Sequence, residues 1–452
     1  MDLNTNGNVN EFLKNLTKED LIDIIWDLTK NNELLQEKII YKYSKYDYKE
    51  ELDKTKKILS SIVEKYAYID GFIYDKDVCE LTEGIRVILE KSKNMSNKLL
   101  SIEINFLVLE EVLKSYDYIH DYTFFANGMV SEITQTTMYI GSTIIDDNIR
   151  EQIFNMILEE SKKKIFDEFD DYRVDLLRAC DIFIGKKHIA DKMKLHIESL
   201  IDNQSDNLYI QSRNEKLLEI IYYAIVAFYN EKEVNKFIED NIKYAFFRHL
   251  LILRYLEKRN YKKAIQLSKE GEEKDKGNKA LLLRWKKLRY ESYKRLNDLE
   301  QCIILAKELL LQGEFSYYYK LKSLSTEKNF YDELKIELKN NLSVYNSTYI
   351  KLIEEENDLD EILELTENNP WMIEMYAQRL KDKYKDKVIK IYDGFIKNLS
   401  KTSSKRDDYK NICLKIKSYK EITGNDKTED LINYLKDTYK RRPAFLDELN
   451  NI

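Results

Sequence analysis

Residues 249–314 read HLLILRYLEKRNYKKAIQLSKEGEEKDKGNKALLLRWKKLRYESYKRLNDLEQCIILAKELLLQGE. Two helix pairs follow one another here. Asn260-Tyr261-Lys262-Lys263-Ala264-Ile265 opens the second helix of one pair, and Asp298-Leu299-Glu300-Gln301-Cys302-Ile303 opens the second helix of the next. Ala264 and Cys302 stand 38 residues apart, each followed by isoleucine. A small residue at a recurring place lets two helices cross closely, while its apolar neighbours fill the seam. Ala264 and Cys302 are therefore expected to be buried at helix crossings.

This is the grammar of a tetratricopeptide-like repeat, and the composition extends it to the whole chain. With 2 prolines and 11 glycines in 452 residues, the punctuation that sheet-rich folds need is missing. The balance of 34% charged and 43% hydrophobic residues suits amphipathic helices with wet outer faces. The expected fold is all-α: a right-handed superhelical array of antiparallel helix pairs, a tetratricopeptide-like α-solenoid. Residues 1–10 are read as a disordered amino terminus, 11–248 as an amino-terminal helical array, and 249–452 as the repeats with a carboxy-terminal cap. The 34 tyrosines are read as amphipathic residues of helix packing rather than as a stacking surface for bases or sugars.

A net charge of −7 gives the chain as a whole no attraction to nucleic acid or anionic membrane. Cys79, Cys180, Cys302 and Cys413 are scattered without a C-x-x-C or C-x-C pair, so neither a disulfide framework nor a thiolate zinc site is indicated. The start, MDLNTNGNVNEF, lacks a signal-peptide pattern, and no apolar run reaches the roughly 18 residues of a membrane span. A soluble, cytoplasmic, reduced protein without cofactor or metal is expected.

Helix signals start at Thr17, an N-cap with Glu19 and Asp20 in the first turn. Between Ser96 and Tyr116 few positions are polar, which predicts a deeply buried helix. Residues 116–148 break the pattern. Asn127-Gly128 between apolar flanks signals a hairpin or a helix end, and the preferred reading is a loop followed by a helix from Val130 to Tyr139. Later helices are expected at Asn214–Asn230, Glu231–Phe247, Trp371–Tyr384 and Lys387–Leu399. Pro443 is expected to start a last short helix.

The carboxy-terminal half resembles the long helical region of bacterial SWIM zinc-finger proteins. The likeness rests on YKKAIQLSKEG (Tyr261–Gly271), LLLQGEFSYYYKLKSL (Leu309–Leu324), Asn369-Pro370-Trp371 with Tyr376-Ala377 and Leu380, and YKRRPAFLDEL (Tyr439–Leu449). Phe12 to Leu21 is similar to the segment following the finger in that family. The C-x-C and C-x-H ligands of the finger are absent, so the resemblance implies the helical scaffold and not the finger's nucleic-acid binding.

No motif carries chemistry beyond its role in packing. His188 and His196, with Asp191 between them, lie eight residues apart, about 12 Å along a helix axis, too far for one metal ion. His120-Asp121 has no nucleophile near it in sequence, and Gly141-Ser142-Thr143 lacks the ending of a phosphate loop. The surface singled out for partner contact interleaves basic and aromatic side chains: Trp285, Lys286, Arg289, Tyr290 and Tyr293, with Arg441 and Arg442 as a second basic spot. The expected function is a non-catalytic scaffold for protein–protein interaction with a protein or peptide partner. The alternatives are a tetratricopeptide-type regulator that binds a small peptide, or an adaptor in a nucleic-acid-associated complex that does not itself bind the nucleic acid.

Overall fold

A computed structural model describes residues 9–66, 72–119, 122–325, 329–341 and 346–452. The chain divides into two compact units, 1–251 and 252–452. In the first, the α-helices are α1 (Val9–Lys14), α2 (Lys18–Thr29), α3 (Glu33–Tyr43), α4 (Tyr48–Tyr66), α5 (Asp75–Asn94), α6 (Lys98–Lys114), α7 (Tyr122–Ser142), α8 (Asp147–Ser161), α9 (Asp170–Arg178), α10 (Lys187–Glu198), α11 (Leu208–Phe228) and α12 (Glu231–Asp240). Helix α13 (Ala245–Glu257) contains the boundary. The second unit continues with α14 (Tyr261–Lys274), α15 (Lys279–Arg295), α16 (Leu299–Leu311), α17 (Ser316–Leu324), α18 (Phe330–Asn341), α19 (Ser347–Glu355), α20 (Leu359–Asn368), α21 (Ile373–Thr402), α22 (Arg406–Thr423), α23 (Asn425–Thr438) and α24 (Pro443–Leu449). Among the described residues there is no strand, only an isolated bridge between Ile73 and Ile119. The fold is an all-α array in which neighbouring helices pack in pairs.

One turn recurs in the second unit. Arg259, Asn297 and Asn357 each follow a helix with φ of 57°, 56° and 50°. In each case the next residue sends its N–H back five positions: Asn260 to Tyr255 at 2.8 Å, Asp298 to Tyr293 at 3.1 Å, Asp358 to Ile353 at 2.9 Å. This Schellman closure satisfies the last helical carbonyls. The same Asn or Asp then caps the following helix, accepting from the N–H three residues on. The cap residues are legible in the sequence; the left-handed residue before them is not. Asn tolerates that conformation, whereas arginine is strained in it by roughly 1–2 kcal/mol. Arg259→Gly is accordingly expected to stabilise the protein by up to about 1 kcal/mol after glycine's entropy cost, and Asn297→Gly by less. Denaturant midpoints of the two variants check the order.

Both crossing residues are buried, Ala264 fully and Cys302 nearly so. Ala264 belongs to a stripe of small residues with Ser268 and Gly271, all buried on one face of α14. The stripe lets α15 approach until the Trp285 ring lies on Gly271, where a Cβ would come within 2.9 Å of the indole. The isoleucines differ: Ile265 packs partly into the core, but Ile303 is 39% exposed.

The tyrosines do more than fill space. In the second unit the rings of Tyr318, Tyr349 and Tyr376 are buried and that of Tyr331 is half-buried, while their hydroxyls reach carboxylates on other helices or turns. Tyr318 donates to Glu356 at 2.6 Å, Tyr331 to Asp358 at 2.7 Å, Tyr349 to Glu361 at 2.6 Å and Tyr376 to Glu354 at 2.7 Å. Burial works to raise the Glu361 carboxyl, but the Tyr349 hydroxyl and the ammonium groups of Lys339 and Lys335 outweigh it and hold its pKa below the ordinary 4.5. The Tyr349 bond ties α19 to α20, while those of Tyr318, Tyr331 and Tyr376 tie α17, α18 and α21 to α19 or the turn that follows it.

Several elements differ from the sequence reading. Helix α1 begins at Val9, inside the segment assigned to a disordered terminus; residues 1–8 lie outside the described residues. Residues 122–142 form one helix, which contains the expected helix at 130–139 and takes in the segment expected to be a loop before it; no hairpin forms there. Ala126, Met129, Val130, Ile133, Thr137 and Ile140 recur at helical spacing and are all buried, and this burial overrides the local turn preference of Asn127-Gly128. Gly141 is needed there for space, since a Cβ would meet the Phe183 ring at 2.5 Å. Glu231–Phe247 is broken at 241–244 into α12 and α13. The two helices expected at 371–399 run together as α21, bent where Tyr384 leaves helical geometry at φ −130° and ψ 38°.

Candidate interaction groove

The basic and aromatic stretch on α15 does not form a surface. Trp285 is 0% exposed, Tyr290 and Tyr293 are buried, and the Trp285 N–H donates to Asp275 Oδ2 at 2.7 Å. Arg289 lies on the same side and forms a two-pronged ion pair with Glu272 at 2.7 and 2.9 Å. Lys286 pairs with Glu308 at 3.1 Å. The helical period that places 285, 289 and 293 together turns the aromatics inward and takes Arg289 with them. Arg442 is likewise structural: its Nη1 donates to the carbonyls of Ser400 and Ser403 at 2.8 and 2.9 Å, closing the end of α21. Arg441 remains exposed. Asp447 and Glu448 meet Arg406, not the two arginines before them.

The histidines stay apart. His196 Nε2 bonds the Ser161 hydroxyl at 2.8 Å, and burial pushes its pKa down. His188 faces Glu151 at 3.3 Å. His120 and Asp121 lie outside the described residues. Among the described residues no group of three or more His, Cys, Asp or Glu is placed to hold a metal, and no helix is long and apolar enough to cross a membrane.

What sequence reasoning missed lies on the first unit. Ser131, Thr134, Gln135 and Met138, spaced i, i+3, i+4, i+7, form the outer face of α7 and one wall of a groove of about 480 Å³. Asp175 and Arg178 on α9, with Asp181 just beyond it, form the second wall; Glu219 and Tyr223 on α11 form the third. Three carboxylates thus converge with one guanidinium among them. Arg178 meets Asp175 at 3.2 Å, leaving Asp181 and Glu219 without an ion-pair partner among the described residues. Asp181 is exposed as a residue, yet protein atoms crowd its carboxyl, and this desolvation pushes its pKa up to about 6 against the pull of Arg178. Burial also raises Asp175, despite Arg178 and Lys216. Glu219 is raised by burial first and by the like charge of Glu215 second. Carboxylates held in this way gain from a positive charge brought from outside.

No family model and no curated protein matches the chain, so the likeness to SWIM zinc-finger proteins rests on the quoted residues alone. Among solved structures, the chain is similar to a protein described as a circular tandem repeat protein with novel repeat topology and enhanced subunit contact surfaces. Identity is 10%, covering 93% of this chain and 96% of that one, with a TM-score of 0.16.

Proposed function

We propose that the chain is a non-catalytic helical-repeat scaffold for protein–protein interaction, and that the groove between α7, α9 and α11 receives an extended partner segment carrying a lysine or arginine. The observation behind this reading is the convergence of Asp175, Asp181 and Glu219 in one groove with a single arginine. A basic side chain entering beside Met138 and Tyr223 would lay its methylene stem on apolar surface and its charge among the carboxylates. The same carboxylates repel a phosphate backbone, so nucleic acid is disfavoured here.

The test is fluorescence anisotropy with a labelled, end-capped peptide of alternating arginine and leucine, and a control peptide with alanine for arginine. The arginine peptide is expected to bind, the control not. Affinity should fall as pH is lowered through about 6, because Asp181 takes up a proton and loses its charge. The sign for stability is opposite. An acid whose folded pKa is raised favours folding while protonated, so the free protein should gain stability as pH falls through about 6. Asp181→Asn with Glu219→Gln should weaken the peptide by about tenfold, the scale of one charge-assisted contact. Equal binding of both peptides, or indifference to the double variant, would sink the reading.

A further inference from the structure

Helix α2 is amphipathic, yet most of its apolar side stays exposed among the described residues. Ile22, Ile25, Trp26 and Leu28 are 53%, 49%, 59% and 72% exposed, and Thr29 is the one buried residue of the helix. Helical projection places Ile22, Ile25 and Trp26 on one side, closed at its carboxy-terminal end by the buried Thr29 and with Leu28 at its far edge; Glu19, Asp23 and Asp27 lie on the other, with Glu19 and Asp23 bordering Trp26. Monomeric proteins rarely leave so continuous an apolar face open. Its acidic back argues against an anionic lipid surface.

A receptor of matching chemistry exists on the same unit. Between α3 and α4 lies a small groove with Ile40, Tyr41, Tyr46 and Ile58 along it, Lys54 and Lys57 on the α4 side and Glu37 on the α3 side. No residue of α2 lines it. Lys54 leans over the Tyr46 ring at 5.7 Å, and neither lysine has an acidic partner among the described residues. Glu19 and Asp23 repeat at i, i+4, and Lys54 and Lys57 at i, i+3; both spacings put the two charges about one helical turn apart on one edge. The chain's own α2 is held away from this groove, because Gln36 Nε2 bonds the Thr29 carbonyl at 2.9 Å and Asn32 caps α3 immediately after it.

We propose that two copies of this chain exchange α2 about a twofold axis, each laying the Ile22–Trp26 face into the other's α3–α4 groove, with Glu19 and Asp23 against Lys54 and Lys57. The twofold makes the contact twice, which brings two small patches towards the roughly 1,000 Å² that a specific interface needs. This rests on a different surface from the α7–α9–α11 groove and stands or falls separately.

Sedimentation equilibrium of the full chain tests it. A concentration-dependent monomer–dimer equilibrium is expected, weakened by added salt and abolished by Trp26→Glu with Leu28→Glu. Glu19→Lys with Asp23→Lys should raise the dimer Kd about tenfold or more, as should Lys54→Glu with Lys57→Glu. All four changes together should restore association, which misfolding of either pair cannot mimic. A chain that stays monomeric at every concentration, or a dimer indifferent to these residues, or a fourfold exchange that fails to rescue, overturns the proposal.

Discussion

Removing residues 441–452 is expected to cost the second unit about 3–6 kcal/mol, the value of burying one phenylalanine and one leucine. Phe445 is fully buried and Leu449 nearly so. The Phe445 ring stacks on Tyr409 with centroids 4.6 Å apart and meets Tyr439 at 5.7 Å. Truncation also withdraws the Arg442 bonds from the end of α21 and leaves Arg406 without Glu448, its partner at 2.7 Å. The exposed ion pairs contribute little, at most about 1 kcal/mol each; the apolar contact dominates. Tyr409, Ile412 and Cys413, buried in the intact chain, would face water, so the shortened protein should self-associate. Among single changes, Phe445→Ala should account for most of the loss. Arg442→Ala should cost about 1.5–3 kcal/mol, because its bonds are charge-assisted and partly buried. Arg441→Ala should be silent. Thermal melting and light scattering of the four proteins check that ranking. A silent truncation would show that α24 does not hold the end of the array.

The second large effect is expected in the first unit. Glu51 and Lys91 pair at 2.5 Å with side chains only 3% and 9% exposed. Lys91 also lies over the rings of Tyr41, at 4.0 Å, and Tyr46, at 5.1 Å. The Tyr41 hydroxyl in turn bonds Thr55 Oγ1 at 2.7 Å. Glu51→Ala strands the ammonium group in this apolar box and should cost about 3–5 kcal/mol. Replacing both partners by leucine and methionine removes the charge together with its counter-charge, so that double variant should be close to neutral or more stable. Urea titration of the single and double variants separates the two cases. If the single change costs no more than a surface pair, the site is wetter than its burial implies.

The helix pairs were legible because apolar residues repeat at helical spacing over many turns, and because Asn260 and Asp298 mark their own caps. Helix α7 was legible only in part: 130–139 reads as helix, but Asn127-Gly128 favours a turn, and only burial against neighbouring helices carries the helix back to residue 122. The groove stayed hidden for another reason: Ser131, Thr134, Gln135 and Met138 already share a face of the expected 130–139 helix, but no local pattern shows that α9 and α11 stand opposite it. The α15 stretch misled for a related reason. Its composition suits a binding surface, but orientation decides, and the partner that neutralises Arg289 sits 17 residues earlier, at Glu272. The tyrosine–carboxylate clasps join residues 12 to 38 positions apart in sequence, a separation that no local pattern encodes.

The contact between Trp285 and Gly271 has a spectroscopic consequence. An indole sealed in protein emits at shorter wavelength than one in water and is shielded from dissolved quenchers. The chain's other two tryptophans, Trp26 and Trp371, are 59% and 57% exposed. With both of those replaced by phenylalanine, and excitation at the red edge where the 34 tyrosines do not absorb, the remaining emission comes from one buried indole wedged between α14 and α15. Its red shift during denaturation then times the parting of that single seam, and acrylamide access to it in the native state measures how often the small-residue stripe of α14 breathes open.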